Sequence, residues 1–191
     1  MSDAESADDQ RHAVVLDMLP TGRPDDDRPP QQKSPLAYAL GETDFRLTEL
    51  TLADGTDIGF SDRVSLDEST IESSRPVAFD GLSSAATSEL DYAIEATIDR
   101  DERRFVDFYN DAQPITLRLH QLNLLPGIGK KLRNSVLDER KRQPFESFDD
   151  LEERVAGLHR PKEILIERIR EELRDEDLKY RIFVGRDEGS E

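Results

Sequence analysis

A short glycine-rich turn carries the residues of this chain whose types and spacing best suit the binding of an anion. Residues 125–131 read Leu-Pro-Gly-Ile-Gly-Lys-Lys. Gly127 and Gly129 permit a positive φ and let a ligand come close to the backbone, while Ile128 between them packs inward. Amides at the start of the helix that follows would lack acceptors, and the helix dipole would attract a negative charge there. We therefore predict a phosphate-binding turn.

Basic side chains surround this turn, although the chain as a whole is acidic. Lys130, Lys131 and Arg133 follow the glycines, and the segment from Arg118 to Arg142 holds seven basic residues and two acidic ones. The net charge of the chain is −17, and residues 1–111 alone hold 26 acidic and 10 basic residues. The overall charge argues against a nucleic-acid partner, but its distribution places a local basic island at the predicted turn.

Apolar residues at helical spacing on both sides of the turn predict two short helices. Before it, Ile115, Leu119 and Leu122 fall on one face of a helix that Pro114 would open. After it, the same spacing continues over residues 128–136. A plain turn between two helices, closed by a glycine, is the alternative explanation of the same pattern.

The segment from Leu125 to Leu137 resembles the helix-hairpin-helix motif, which in its family grips the phosphate backbone of DNA or RNA without reading sequence. Arg133 departs from the motif, because many members carry a small alanine there. The matching residues of this chain are Pro126, Gly127, Ile128, Gly129 and Lys131.

A second, degraded copy of the motif follows near residues 156–162. Gly157 and Leu158 match the first glycine and the inward apolar residue, whereas His159 stands at the second glycine. Doubled hairpins form one compact unit in the family, and the second copy is often mainly structural. Arg160 and Lys162 are additional candidates for phosphate contact.

The rest of the chain predicts an α+β fold: a small OB-like β-barrel domain followed by an all-α doubled helix-hairpin-helix domain. Short strands are indicated near residues 12–19, 45–52, 61–66 and 71–79, with a helical turn over 35–40. Four helices are indicated: one over 84–98, one over 101–110, one after a capping Ser147, and one around Ile166, Ile169 and Leu173. A last strand is indicated over 180–184.

These elements predict five consecutive segments. They are a disordered acidic tail (1–11), the OB-like β domain (12–82), connecting helices (83–111), the helix-hairpin-helix domain (112–175) and a C-terminal strand and tail (176–191).

Composition limits the chemistry. The chain has no cysteine, so disulfides and thiolate metal sites are excluded. No apolar run is long enough to span a bilayer, and residues 1–11 do not read as a signal peptide, so we expect a cytoplasmic protein without a membrane partner. Asp25, Asp26 and Asp27 read as solvated loop residues rather than a metal site. We predict no metal, no cofactor and no small-molecule substrate.

The order of elements along nearly the whole chain resembles an archaeal family known as domain of unknown function 655. The strings that carry this resemblance are AVVLDMLPTGRPDDDRP, SELDYAIEATI, RRFVDFYNDAQPITLRLHQLNLLPGIGKKL and PFESFDDLEERVAGL. The resemblance implies RNA binding, an OB-like N-terminal part and a helix-hairpin-helix C-terminal part. The excess of Asp over Glu and of Arg over Lys also looks like the composition of halophile proteins, in which acidity reflects the solvent rather than the partner.

The leading hypothesis is a non-enzymatic nucleic-acid-binding protein, with RNA preferred to DNA on the family resemblance alone and with a link to the ribosome or translation. The alternatives are a DNA-binding or DNA-repair-associated protein and a protein-interaction scaffold. A glycosylase-like enzyme would use Asp149 or Asp150, but both lie in a capping segment and no catalytic lysine accompanies the hairpin. We assign no catalytic residue.

Overall fold

The structure, a computed structural model, describes residues 11–185, which form two compact units. The first unit comprises residues 11–93 and 183–185, and the second comprises residues 94–182. The predicted acidic tail lies outside the described residues except for Arg11, whose guanidinium pairs with Asp67 at 3.5 Å. The mixed α and β content of the prediction is confirmed.

An open antiparallel sheet of five strands forms most of the first unit. Its spatial order is β4-β1-β2-β3-β5, so β4 and β5 are its two edges. The predicted positions of four strands are confirmed. The last of them, β5, is an edge strand, as Pro76 indicates, and it ends at Pro76 rather than continuing to residue 79. The likeness of this sheet to an OB fold stays a prediction. The strands are β1 (His12–Leu19), β2 (Leu36–Gly41), β3 (Leu47–Leu52), β4 (Arg63–Ser65) and β5 (Ile71–Pro76).

The middle strand, β2, corrects one prediction. Residues 35–40 were expected to form a helical turn, but Leu36–Gly41 pairs with β1 on one side and β3 on the other. Every residue from Ala37 to Gly41 is buried, so the strand lacks the alternation of apolar and polar residues that marks a strand with one solvated face. Ala37 and Ala39 belong to the core cluster of the sheet.

Five α-helices follow within the described residues, and none of them is both long and apolar enough to cross a bilayer. The predicted Ser147 cap is confirmed, because its Oγ accepts the amide of Asp150 at 3.0 Å. The strand predicted over 180–184 is wrong. The carbonyl of Tyr180 and the amide of Ile182 instead bond to the side chains of Arg168 and Glu172 in the last helix. The helices are α1 (Ser84–Arg100), α2 (Glu102–Asp111), α3 (Lys130–Arg142), α4 (Phe148–Arg154) and α5 (Pro161–Arg174).

Tyr109 of α2 makes a buried hydrogen bond that should be measurable in stability. Its ring is fully buried and its hydroxyl donates to the carbonyl of Pro161 at 2.9 Å. Burial raises the pKa of the phenol. We expect Tyr109→Phe to lower the free energy of unfolding by about 1–2 kcal/mol, because a buried acceptor loses its donor. Urea unfolding measures this, with the exposed Tyr92→Phe as the matched control. Equal stabilities for the two variants would contradict the assignment.

Candidate nucleic-acid interface

The glycine turn (residues 125–131) depends on its two glycines for different reasons. Gly127 has φ +77°, which is the conformation expected of it. Gly129 has φ −85° and is the N-cap of α3, so any residue could adopt its backbone conformation. A Cβ added at Gly129 would meet no atom within 4 Å. Glycine at this position therefore leaves open space beside the start of the helix.

The helix predicted over residues 115–122 is wrong. Pro114 pairs with His120 in an isolated antiparallel bridge, and the hydroxyl of Thr116 accepts hydrogen bonds from the amides of Arg118 and Leu119. These bonds close a tight loop in place of a helical turn, because the threonine side chain competes for amides that a helix would use. A single 3₁₀ turn, Gln121–Leu124, then leads into the glycine turn.

Asn123 holds the glycine turn in place. Its Oδ1 accepts hydrogen bonds from the amide of His120 at 3.2 Å and from Nη1 of Arg133 at 3.0 Å. Its Nδ2 donates to the carbonyl of Ile128 at 3.2 Å, and Ile128 itself is buried. The half-buried Arg133 is thus a support for the turn, which explains why a long side chain is accommodated where the resembled motif has alanine.

Unpaired donors gather at the N-terminal end of α3. Arg133 is the first residue of the helix whose amide donates to a carbonyl, that of Gly129 at 2.9 Å. Within residues 11–185, the amides of Gly129, Lys130 and Lys131 have no acceptor. The ammonium groups of Lys130 and Lys131 are exposed and have no described carboxylate within 4.0 Å. This end of the helix can therefore bind an anion without first breaking a bond inside the described chain.

A depression of about 670 Å³ lies beside the turn, but its far wall has the wrong charge for a phosphate. That wall is formed by α5 and includes Glu167 and Glu171, which are both exposed. Two carboxylates would repel an anion placed deep in the depression. An anion would therefore meet less repulsion at the amides of α3 than against α5.

Arg168 is a central residue of this region, and sequence reasoning missed it. It is 5% exposed, and its Nε pairs with Oε2 of the fully buried Glu172 at 3.3 Å. Its Nη1 donates to the carbonyl of Leu124 at 3.2 Å, and its Nη2 donates to that of Tyr180 at 2.6 Å. Glu172 in turn accepts the amide of Ile182 at 2.6 Å. The pair joins the glycine turn, α5 and the C-terminal segment.

The second turn (residues 155–160) repeats the backbone of the first up to its apolar residue. Gly157 has φ +88°, and the amide of Leu158 donates to the carbonyl of Val155 at 3.2 Å, as Ile128 does to Leu125. The copies then diverge, because the N-cap is Arg160 in the left-handed region, one residue later than in the first turn. Pro161 occupies the first helical position and has no amide to donate.

The cations of the second turn are paired with carboxylates. Nζ of Lys162 lies 3.0 Å from Glu95 and 3.1 Å from Asp99, and Nε of Arg160 lies 3.8 Å from Glu163. Burial lowers the pKa of Lys162, but the two carboxylates more than offset this and raise it above its usual value. Contact of Arg160 and Lys162 with phosphate stays a prediction, and it would require these pairs to open.

Carboxylates weighed as reactive groups serve local structure. Asp150 accepts hydrogen bonds from the amide of Glu146 and from Arg154, and Arg28 holds the pKa of Asp26 near 2. Within residues 11–185, no group of three or more His, Asp or Glu side chains is placed to hold a metal ion.

His120 should make stability depend on pH. Its Nδ1 accepts the amide of Leu122 at 3.1 Å, which requires an unprotonated nitrogen. Burial first, then Arg140 and Arg133, lower the pKa of the imidazole. As the pH falls through about 6.5, His120 becomes protonated in the unfolded chain but not in the folded chain. The contribution of His120 to stability is therefore complete above that pH and decreases below it.

We expect the free energy of unfolding to fall between pH 7.5 and 5.5 by more in the wild type than in His120→Asn. Asparagine keeps a side-chain acceptor for the cap but does not titrate. Chemical denaturation at the two pH values measures the difference, and parallel losses in the two proteins would contradict the role of His120.

Comparison with known proteins places this chain among archaeal relatives. The family model for the protein of unknown function DUF655 matches residues 9–185. The Uncharacterized protein MJ0038 of Methanocaldococcus jannaschii is 37% identical over 180 residues, which cover 92% of this chain and 80% of that protein. The crystal structure of Af1531 from Archaeoglobus fulgidus matches with a TM-score of 0.85 and 40% identity, over 92% of this chain and 100% of the other. The resemblance to this family is confirmed, and the chain belongs to the DUF655 family.

Proposed function

We propose that this chain is a non-enzymatic nucleic-acid-binding protein that holds a backbone phosphate at the N-terminal end of α3. One observation carries the proposal: the amides of Gly129, Lys130 and Lys131 lack acceptors within residues 11–185, beside two unpaired ammonium groups. Amide donors, the helix dipole and the lysine charges all favour the same kind of ligand. A phosphate oxygen satisfies them together.

The roles within the glycine turn differ. Pro126, Gly127 and Ile128 shape the backbone, and Arg133 supports it through Asn123. Gly129 leaves the approach open, while Lys130 and Lys131 supply charge. The backbone amides would contact a phosphate oxygen, and a phosphate contact carries no sequence information, so this contact is independent of sequence.

The choice of RNA over DNA rests on the family resemblance, since amides that bind a phosphate do not sense a 2′-hydroxyl. The open five-stranded sheet of the first unit supports an OB-like assignment for that part of the chain. If the chain works in the concentrated salt of a halophile, counterion release contributes little affinity, and directed amide–phosphate hydrogen bonds must supply most of it.

Gly129→Val in the full chain tests the proposal. The backbone at Gly129 suits valine and an added Cβ meets nothing within 4 Å, so the fold should be kept, at a small cost in stability because valine is a poorer N-cap than glycine. The side chain would fill the space beside the unpaired amides. We expect the affinity for a structured RNA to fall about 10- to 100-fold, the value of one hydrogen bond to a charged group.

Fluorescence anisotropy with an RNA hairpin and with duplex DNA measures binding, and thermal unfolding checks the fold. Gly59→Val is the matched control. Gly59 lies in the first unit, away from the glycine turn in sequence, and a Cβ added there would be 3.7 Å from its nearest neighbour. Wild-type affinity in Gly129→Val would remove the proposal, and tighter binding of the DNA duplex would favour the DNA-binding alternative.

A further inference from the structure

Leu117 is a large apolar side chain that the structure leaves fully exposed. It lies at the tip of the 113–121 loop and is more exposed than Phe60 or Tyr92, the other large apolar side chains on the surface of the described residues. An exposed leucine at a fixed point in water has no stabilising role within its own chain. Single exposed leucines are common on protein surfaces, so the rigid loop and the charge around Leu117, rather than its exposure alone, indicate a role.

The loop is rigidly built, so the exposure of Leu117 is not a result of loose structure. The amides of Ile115 and Thr116 donate to the carbonyl of Leu119 at 2.8 and 3.0 Å. The Thr116 hydroxyl accepts the amides of Arg118 and Leu119 at 3.2 and 3.0 Å. At the base of the loop, the amide of residue 121 donates to the carbonyl of residue 113 at 3.0 Å.

The same loop is joined to the glycine turn by short contacts. His120, at the base of the loop, donates its amide to Asn123, and Asn123 donates to the carbonyl of Ile128. Leu117 is three residues from His120, which is at most about 11 Å of chain. The tip and the start of α3 therefore belong to one hydrogen-bonded piece of the second unit, within reach of a few nucleotides.

Charge indicates which kind of partner this piece accepts. Residues 112–137 contain four basic residues and no Asp or Glu, in a chain with 43 acidic residues among 191. Arg118, next to Leu117, is exposed and has no described carboxylate within 4.0 Å. A segment that excludes acids in so acidic a chain is complementary to a polyanion. A neutral protein surface would not require that exclusion.

We propose that Leu117 packs against the bases of the nucleic acid whose phosphate lies at α3, as an apolar probe that selects strands with accessible bases. This inference rests on the proposed function. Bases in a continuous duplex are stacked and paired, whereas a bulge or single strand presents faces that a leucine can cover. The chain then prefers bulged or single-stranded RNA to a perfect stem.

The test compares two RNA stems that differ only in a three-nucleotide bulge carrying 2-aminopurine. We expect Leu117→Ala in the full chain to weaken binding of the bulged stem about tenfold, because a buried leucine is replaced, and the perfect stem less than twofold. The dependence of affinity on salt should be unchanged, since no charge is lost. 2-Aminopurine emission should change with the wild type and not with the variant. Phe60→Ala is the matched control for losing an exposed apolar side chain.

A parallel variant, Lys130→Gln with Lys131→Gln, separates this inference from the function on which it rests. If it weakens binding with a shallower salt dependence while Leu117→Ala binds both stems normally, the inference is overturned and the phosphate site stands. If neither variant changes binding, both are overturned, and Leu117 would serve a protein partner. A loss in Leu117→Ala that is equal for the two stems also overturns the base contact.

Discussion

Reversing two charges at the start of α3, Lys130→Glu with Lys131→Glu, is expected to lower the affinity for nucleic acid by about 100-fold or more at 0.1 M salt. Both ammonium groups are exposed and unpaired within the described chain, so no internal ion pair is broken. The new carboxylates would lie beside the phosphate and repel it. Anisotropy titrations over a range of salt concentrations measure the loss, and the salt dependence should become weaker by about one unit per lost contact.

A matched pair at the other end of the same helix controls for net charge. Lys141→Glu with Arg142→Glu changes the charge of the chain equally. Both residues are exposed in the last turn of α3, and the variant also removes the surface ion pair between Arg142 and Glu139 at 3.4 Å. We expect this control to lose at most a few-fold in affinity. Similar losses in the two double variants would mean that overall charge, rather than the helix end, governs binding.

Replacing Arg168 with methionine is expected to lower the free energy of unfolding by about 3–5 kcal/mol, the cost of removing one partner from a buried ion pair. Glu172 would remain buried without its ion pair to Arg168, and the carbonyls of Leu124 and Tyr180 would lose their donor. Urea unfolding measures the change. A loss below 1 kcal/mol would show that the pair contributes little.

The double variant Arg168→Met with Glu172→Gln identifies the cause of that loss. Glutamine can still accept the amide of Ile182, while no charge remains buried. We expect the double variant to recover part of the stability lost in Arg168→Met. No recovery would assign the loss to the two carbonyls instead of the buried carboxylate.

Helix positions could be predicted well from the sequence, because α1, α2 and α5 each bury one stripe at helical spacing. The failures occur where side-chain hydrogen bonds or burial on two faces override that signal. Residues 115–122 have helical spacing, but Thr116 closes a loop among them. The buried β2 shows no alternation, and the backbone of Tyr180 and Ile182 is held by Arg168 and Glu172 rather than by a sheet.

The glycine turn could be predicted from its residue types, but the separate roles of the residues in and around it could not. Contact of Arg133 with phosphate stays a prediction, and the hydrogen bond from its Nη1 to Asn123 could not be predicted from residue types. Arg168 had a detectable signal: it and Glu172 are opposite charges four residues apart within the buried stripe of Leu165, Ile169 and Leu173. The extra residue that shifts the second N-cap to Arg160 depends on a left-handed backbone that composition does not reveal.

The distribution of amines gives this protein a built-in reporter. The chain has six lysines, and α3 holds three of them: Lys130 and Lys131 at its first turn and Lys141 near its last. Mass spectrometry after reductive methylation would therefore measure the reactivity of lysines at both ends of α3 in one experiment. A bound oligonucleotide should shield the first two amines and leave Lys141 reactive as an internal reference.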